Sequence, residues 1–306
     1  MPLRKFMRTA ATIAACLVLA VILYRARQIY VMESTFMHPR RGSTAISLDS
    51  TGVAGLRDVR IRNAPNGADI AAWYLAPSHG AVVIIAHGTE ADRSSMLAEI
   101  RILAGAGIGV LAFDWPGYGQ SEGKPESDAE ARQALLSLVS WVTDQPGVDS
   151  AQLGALGFSY GGYRLVQVAG RDQRIRRIAL LAVPPDGESL TYYFYRRWTP
   201  AAGWFALQVD KYLGSEPDSL KPRDLVASIA PRPILFVIGN ADVTVPTEIA
   251  KELYEHALMP KELFLVPGAN HGGYASASPV EYGATLVRFF GGASGAAPAE
   301  TAATSR

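Results

Sequence analysis

Apolar residues fall along this chain in short runs separated by longer stretches of helical period. Residues 81–86, 110–113, 153–156, 175–183, 234–238 and 263–266 are rich in Val, Ile, Leu, Ala and Phe. Runs of this length predict strands, and the uninterrupted ones predict strands buried on both faces. Residues 93–106, 127–145, 160–170, 247–257 and 279–290 instead carry the spacing of amphipathic helices. Strand and helix alternate, which predicts an α/β fold: a mostly parallel sheet with helices on both faces. Residues 56–62 and 70–76 read as an antiparallel edge pair, with Asn66-Gly67 between them as a hairpin signal. Ser127, with Glu130 three residues on, predicts the N-cap of the 127–145 helix.

Two segments break this rhythm. Residues 9–24 are apolar, with Arg4, Lys5 and Arg8 before them and Arg25 and Arg27 after. The run is close to the shortest that spans a bilayer, which needs roughly 17 to 25 residues. No small-x-small cleavage site follows it. Residues 1–30 therefore predict an uncleaved transmembrane signal anchor, with the N-terminus cytoplasmic and the following domain on the extracytoplasmic side. Residues 31–55 read as a linker. The second break, residues 186–231, is a lid or cap insertion ahead of the last two strands. It holds Tyr192, Tyr193, Phe194, Tyr195, Trp198, Trp204 and Phe205. Tyr192, Tyr195, Trp198 and Trp204 are the candidate substrate contacts; the same rings serve equally to pack a small helical subdomain. Arg196 and Arg197 suit a carboxylate, a phosphate or lipid head groups, or are simply solvated. Residues 291–306, rich in Ala, Gly, Ser and Thr, read as a disordered tail.

Composition narrows the class. A chain of 306 residues with 49% apolar content can bury one large core, here residues 56–290. A net charge of +1 gives no electrostatic argument for nucleic acid or an anionic polymer. The single cysteine, Cys16, excludes an intramolecular disulfide. Ile13-Ala14-Ala15-Cys16 resembles a lipobox, yet the apolar run continues past the cysteine through Leu23. No two histidines lie at metal-ligand spacing, and neither metal nor organic cofactor is expected.

The chemistry enters at Gly157-Phe158-Ser159-Tyr160-Gly161, a G-x-S-x-G between a predicted strand and a predicted helix. That context is what a nucleophile elbow requires: a sharp turn lifts the serine hydroxyl above the sheet, small neighbours relieve the crowding, and the helix N-terminus faces the reacting centre. A serine nucleophile needs a base oriented by an acid, in the chain order Ser, Asp or Glu, His. Only His256 and His271 follow Ser159. His256 belongs to an amphipathic helix and reads as a surface residue. His271 lies in a glycine-rich loop after the 263–266 run and is the candidate base. Asp242, after the 234–238 run, is the candidate acid, and its other reading is a turn or helix-entry residue. Asp210, Asp218 and Asp224 satisfy the order but follow no clear strand. His87-Gly88-Thr89 after the 81–86 run is the place for an oxyanion donor. The expected pair of donors is the backbone N–H of Thr89 and of Tyr160. His87 precedes the serine and reads as a structural residue holding that loop.

These parts together resemble the α/β-hydrolase superfamily over residues 56–290. Phe113-Asp114-Trp115-Pro116-Gly117-Tyr118-Gly119-Gln120-Ser121-Glu122-Gly123 is similar to the segment after the fourth strand in membrane-anchored Bem46-like and ABHD-type serine hydrolases and in the serine aminopeptidase S33 and monoacylglycerol-lipase-like group. Many of those carry Arg before the first Gly of the segment; this chain has Pro116, which weakens a peptidase assignment. The resemblance implies a membrane-anchored serine hydrolase acting on a small-molecule acyl substrate, a carboxyl ester or thioester, through an acyl-enzyme. An acyltransferase or peptidase would use the same triad, and a non-catalytic binding module would lack one of its members. Haloalkane-type chemistry would want Asp at position 159.

Overall fold

The structure is a computed structural model that describes residues 2–37, 46–62, 67–89, 91–123, 128–213 and 220–291. Asn66, Glu90, Lys124, Pro125, Ser127, Asp218 and all but the first residue of the C-terminal tail lie outside the described residues. Along the chain run α1 (Pro2–Met37), β1 (Arg57–Arg62), β2 (Asp69–Leu75), β3 (Val82–Ala86), α2 (Leu97–Gly105), β4 (Gly109–Phe113) and α3 (Asp128–Thr143). They are followed by β5 (Leu153–Phe158), α4 (Tyr160–Ala169), β6 (Arg177–Leu181), α5 (Gly187–Arg196), α6 (Pro200–Tyr212) and α7 (Pro222–Leu225). Then come β7 (Ile234–Gly239), α8 (Thr247–His256), β8 (Lys261–Val266), α9 (Tyr274–Ala277) and α10 (Pro279–Phe290).

The chain divides into two compact units: Met1–Pro39 with Gly187–Ser219, and Arg40–Asp186 with Leu220–Arg306. The larger unit is built on one eight-stranded sheet in the order β1-β2-β4-β3-β5-β6-β7-β8. β2 is antiparallel to both of its neighbours, and every pairing from β4 to β8 is parallel. Residue alternation decides which face each side chain joins. Val82, Ile84 and Ala86 pack with Leu135, Leu138 and Leu165 from α3 and α4. Val83 and Ile85 point the other way, to Ile100 and Leu103 of α2 and Leu286 and Phe290 of α10. Both faces are dry, so the central strands need the uninterrupted apolar sequences they have.

β1 and β2 form the expected antiparallel pair at the edge of the sheet: β1 is outermost, and β2 lies between it and β4 with Ile70, Ala71, Ala72, Trp73 and Tyr74 all buried. Its two faces join two different apolar clusters, Tyr74 on one and Trp73 on the other. Residues 93–106 do not form one continuous helix. Arg93–Met96 is a 3-10 turn, because the Asp92 side chain accepts the Ser94 N–H at 2.8 Å and starts the turn early.

The smaller unit comprises α1, α5 and α6. Met7–Met32 of α1 is the one stretch among the described residues long and apolar enough to cross a membrane. The helix runs well past the apolar 9–24 segment, because residues 25–37 contain neither Pro nor Gly to stop it. Ile29 is buried with Tyr195, Ala206 and Val209. Thr199 caps α6 by accepting the Ala202 N–H at 3.0 Å, and Pro200 occupies the first turn, where a missing N–H costs nothing.

Candidate active site

β5 ends at Phe158 and α4 begins at Tyr160, so the turn between them is the single residue Ser159. Its backbone sits at φ +50° and ψ −118°, a conformation that a residue with a Cβ rarely adopts. Strain of this kind costs about 1–3 kcal/mol and persists only where the surroundings enforce it. Here they do: the Ser159 N–H donates to the Leu181 carbonyl of β6 at 2.8 Å, and the Ser159 carbonyl accepts the Tyr163 N–H at 3.0 Å. The glycines are a matter of space. A Cβ on Gly161 would lie 2.3 Å from the Ala86 carbonyl oxygen, and one on Gly157 would lie 2.5 Å from Gly162 N. Glycine at these positions lets α4 start hard against the end of β3.

The loop after β3 passes beside the elbow. A Cβ on Gly88 would be 3.0 Å from the Phe158 ring and 3.5 Å from Ser159 Cβ. His87 is fully buried and bonded through both ring nitrogens. Nε2 accepts the Trp115 N–H at 3.2 Å, so the proton is on Nδ1, which donates to the Gly88 carbonyl at 2.7 Å. Burial lowers the His87 pKa against the opposing effect of the Gly88 hydrogen bond and nearby carboxylates, which keeps the ring neutral. This bonding aims the next peptide. With the Gly88 carbonyl turned towards the His87 ring, the Thr89 N–H of the same trans peptide points the opposite way. Tyr160, the first residue of α4, likewise has an N–H with no partner inside its helix.

The shelf under this loop is the segment that follows β4. Asp114 is buried and accepts the Arg93 N–H at 2.8 Å, the Gln120 N–H at 2.8 Å and the Arg93 guanidinium. Gly119 closes over it so tightly that a Cβ there would collide with the carboxylate. Trp115 Nε1 donates back to the His87 carbonyl at 2.9 Å. The segment is thus a structural loop organised round an acid, and Arg93, 21 residues away in sequence, is its counter-charge.

His271 and Asp242 meet across the ends of β7 and β8. His271 Nδ1 donates to Asp242 Oδ2 at 2.8 Å, which leaves Nε2 as the basic nitrogen. The His271 ring is partly exposed and lies 4.8 Å from the Phe158 ring, centroid to centroid, one residue before the elbow serine. Asp242 is also a turn residue: Oδ1 accepts the Thr244 and Val245 N–H groups, each at 2.8 Å. The turn reading of Asp242 thus does not compete with its hydrogen bond to His271. Two further residues brace the pair. Asn270 Oδ1 accepts the Val243 N–H at 3.0 Å, and Asn240 Oδ1 accepts the Gly268 N–H at 2.7 Å. Their only mark in the sequence is their place beside Asp242 and His271, and sequence reasoning gave them no role.

The competing residues lie elsewhere. His256 is exposed on α8, with Nδ1 donating to the Glu252 carbonyl at 2.8 Å. Asp224 is in the first turn of α7, and Asp210 is on α6 of the smaller unit. Tyr192, Tyr195, Trp198 and Trp204 all belong to the smaller unit. Tyr195 is 2% exposed and fills that unit's interior, so for this ring the packing alternative applies. Tyr192 lies against Gly203, Trp198 packs edge-on against Tyr195, and Trp204 is open. Among the described residues no group of three or more His, Cys, Asp or Glu is placed to hold a metal ion.

Residues 82–285 match the model of the Alpha/beta hydrolase family. The uncharacterized protein YfhR of Escherichia coli K12 is 29% identical over 217 residues, covering 68% of this chain and 71% of that one. A polyketide transferase, grgF of Penicillium sp., is 25% identical over 255 residues, covering 67% of this chain and 86% of its own. The solved Pyrococcus furiosus esterase Pf2001 superposes with a TM-score of 0.67 at 22% identity, over 83% of this chain and 96% of that one. With the serine elbow, the strand order and a family match over two thirds of its length, the chain belongs to the alpha/beta hydrolase family.

Proposed function

We propose that the protein is a membrane-anchored serine hydrolase that cleaves carboxyl esters, including lipid or thioester substrates, through Ser159, His271 and Asp242. The observation that carries this reading is the Asp242–His271 hydrogen bond at 2.8 Å, with the His271 ring 4.8 Å from that of Phe158, the residue before a serine held at positive φ. Ser159 Oγ attacks the acyl carbonyl while His271 Nε2 takes its proton. Asp242 holds the ring in the tautomer with Nδ1 protonated and stabilises the imidazolium. The N–H groups of Thr89 and Tyr160 receive the oxyanion; losing one such donor typically costs about 2.7–4 kcal/mol. The imidazolium then protonates the leaving alcohol or thiol. Water, deprotonated by His271, attacks the acyl-enzyme, and Ser159 recovers its proton as the carboxylic acid leaves. The mechanism calls for no metal or organic cofactor.

An ester is favoured over a peptide by the aromatic insertion and by α1 read as a single membrane span. In this reading residues 1–30 anchor the chain and the catalytic unit lies on the extracytoplasmic side.

Labelling with a serine-reactive fluorophosphonate tests the core of this reading. Labelling of the full chain is expected, lost in Ser159→Ala and in His271→Ala. A Ser159→Ala variant that still hydrolyses acyl esters at the full rate would sink it. The grgF relative supports a second reading, acyl transfer to an alcohol or amine through the same acyl-enzyme. Product analysis with added acceptor alcohols separates the two: hydrolysis releases only the acid, and transfer releases a new ester.

A further inference from the structure

The smaller unit turns aromatic side chains outward in a way its own packing does not explain. On α6 the inward residues are Gly203, Ala206 and Val209, spaced three apart. The opposite face carries Trp204, Phe205 and Tyr212, which are 62%, 38% and 82% exposed. Lys211 is the single charge on that face. Trp198, just before α6, is 44% exposed, with the Arg25 guanidinium 4.7 Å above its ring. A helix face of large aromatics with a basic rim is the signature of an element lying in a membrane interface.

The position of these rings along α1 names the occupant. Residues 9–24 of α1, at about 1.5 Å each, cover about 24 Å, the short end of what spans the roughly 30 Å of a bilayer's hydrocarbon core. Arg25 and Arg27 are the first charges after that stretch and so mark the level of the head groups. Arg25 meets Trp198 there, and Ile29, about 6 Å further along the axis, is buried against Tyr195, Ala206 and Val209. The α5–α6 pair therefore docks on α1 within about a turn or two of the membrane surface, the depth at which Trp and Tyr concentrate. Arg196 and Arg197, both exposed, add the positive charge that anionic head groups attract.

We propose that α5 and α6 lie in the bilayer interface, with Trp198, Trp204, Phe205 and Tyr212 set among the head groups and upper acyl chains. The inference rests on α1 spanning the membrane. It assigns a lipid-contact role to rings that take no part in the proposed acyl-enzyme chemistry of Ser159, His271 and Asp242.

The test uses the full chain reconstituted in phosphatidylcholine–phosphatidylglycerol vesicles, plain or with bromine on the upper acyl carbons. Of the five tryptophans, Trp73 and Trp115 are buried in the larger unit and Trp141 packs against its core, so Trp198 and Trp204 are the ones within reach of lipid. Brominated lipid is expected to lower the emission roughly 1.5-fold. Trp198→Phe with Trp204→Phe should abolish that quenching while the protein still resists extraction at alkaline pH and keeps its circular dichroism. Equal emission in both vesicles from carbonate-resistant protein overturns the proposal and leaves the anchor standing. Release by carbonate without quenching overturns the anchor and the proposal together. Absent lipid quenching with Trp204 still shielded from iodide also overturns it, in favour of a second copy or a protein partner on that face.

Discussion

Asp242 divides its carboxylate between two tasks: Oδ1 accepts the Thr244 and Val245 N–H groups, and Oδ2 accepts His271 Nδ1–H, all three at 2.8 Å. The turn at Asp242 and the hydrogen bond that orients the His271 ring, acid and base in the proposed triad, therefore share one carboxylate. Asp242→Asn separates the two tasks. The amide oxygen keeps the turn, while the amide nitrogen faces the ring and selects the tautomer with Nε2 protonated. The expected result is a loss of about 10⁴-fold in kcat towards an acyl ester with a melting temperature close to wild type. Steady-state kinetics and a thermal melt on the same preparation check both halves.

In the proposed mechanism His87 acts on the oxyanion loop and not on the proton. Its ring joins the Trp115 N–H to the Gly88 carbonyl and so aims the Thr89 N–H. His87→Ala leaves both buried backbone groups unpaired, at a cost of about 1–3 kcal/mol of stability. Activity should fall by about 10²-fold, mainly in kcat, as one oxyanion donor loses its aim. Fluorophosphonate labelling of Ser159 should persist at a reduced rate. Complete loss of labelling from folded protein would instead make His87 a proton acceptor.

The elbow has no room for a methyl group at position 161. In Gly161→Ala the new Cβ would sit 2.3 Å from the Ala86 carbonyl oxygen and 2.6 Å from that of His87. Both are backbone atoms at the end of a central strand and cannot swing aside. Destabilisation of about 3 kcal/mol or more is expected, seen as a lower denaturation midpoint with activity lost in parallel. Gly187→Ala, where a Cβ meets nothing within 4 Å, serves as the silent control.

Glu99 gives the protein a pH-dependent weakness. It is buried on α2, and the Tyr282 hydroxyl donates to its Oε1 at 2.8 Å. Burial raises its pKa above 4.5 against the opposing Tyr282 hydrogen bond. A carboxyl whose folded pKa is raised lends its stability below the unfolded value and loses it as pH rises through the folded one. Glu99→Gln keeps the acceptor for Tyr282 and cannot ionise. Its melting temperature should exceed wild type at about pH 8, with the difference shrinking towards about pH 4. A difference that is constant across that range would show that charge at position 99 plays no part.

Much of this molecule was legible from residue order. The apolar runs at 82–86, 110–113 and 234–238 had no polar position to turn towards water, so they had to be strands covered on both sides. The glycines round Ser159 marked the sharp turn because only glycine leaves space for α4 against β3. These are local signals, carried by neighbours in sequence. The antiparallel pairing of β1 and β2 at the sheet edge was legible too; that β4, more than thirty positions on, is the second neighbour of β2 was not.

What tertiary structure decided was every relationship between distant segments. Asp242 and His271 stand 29 positions apart and meet because β7 and β8 pair in parallel and end together. The same pairing lets Asn240 and Asn270 tie the two loops, a role invisible in their residue type. The His87 tautomer depends on the Trp115 N–H from the next strand's loop, and the Asp114 counter-charge comes from Arg93. Ile29 and Arg25 on α1 find Tyr195 and Trp198 across a gap of about 170 positions, which no periodicity within either helix predicts. Sequence by itself determined which residue types stand at each strand end and elbow, because backbone propensity and burial act locally. The fold alone determined which of them touch, because hydrogen bonds and charge pairs form wherever the packed sheet and helices bring their partners within about 3 Å.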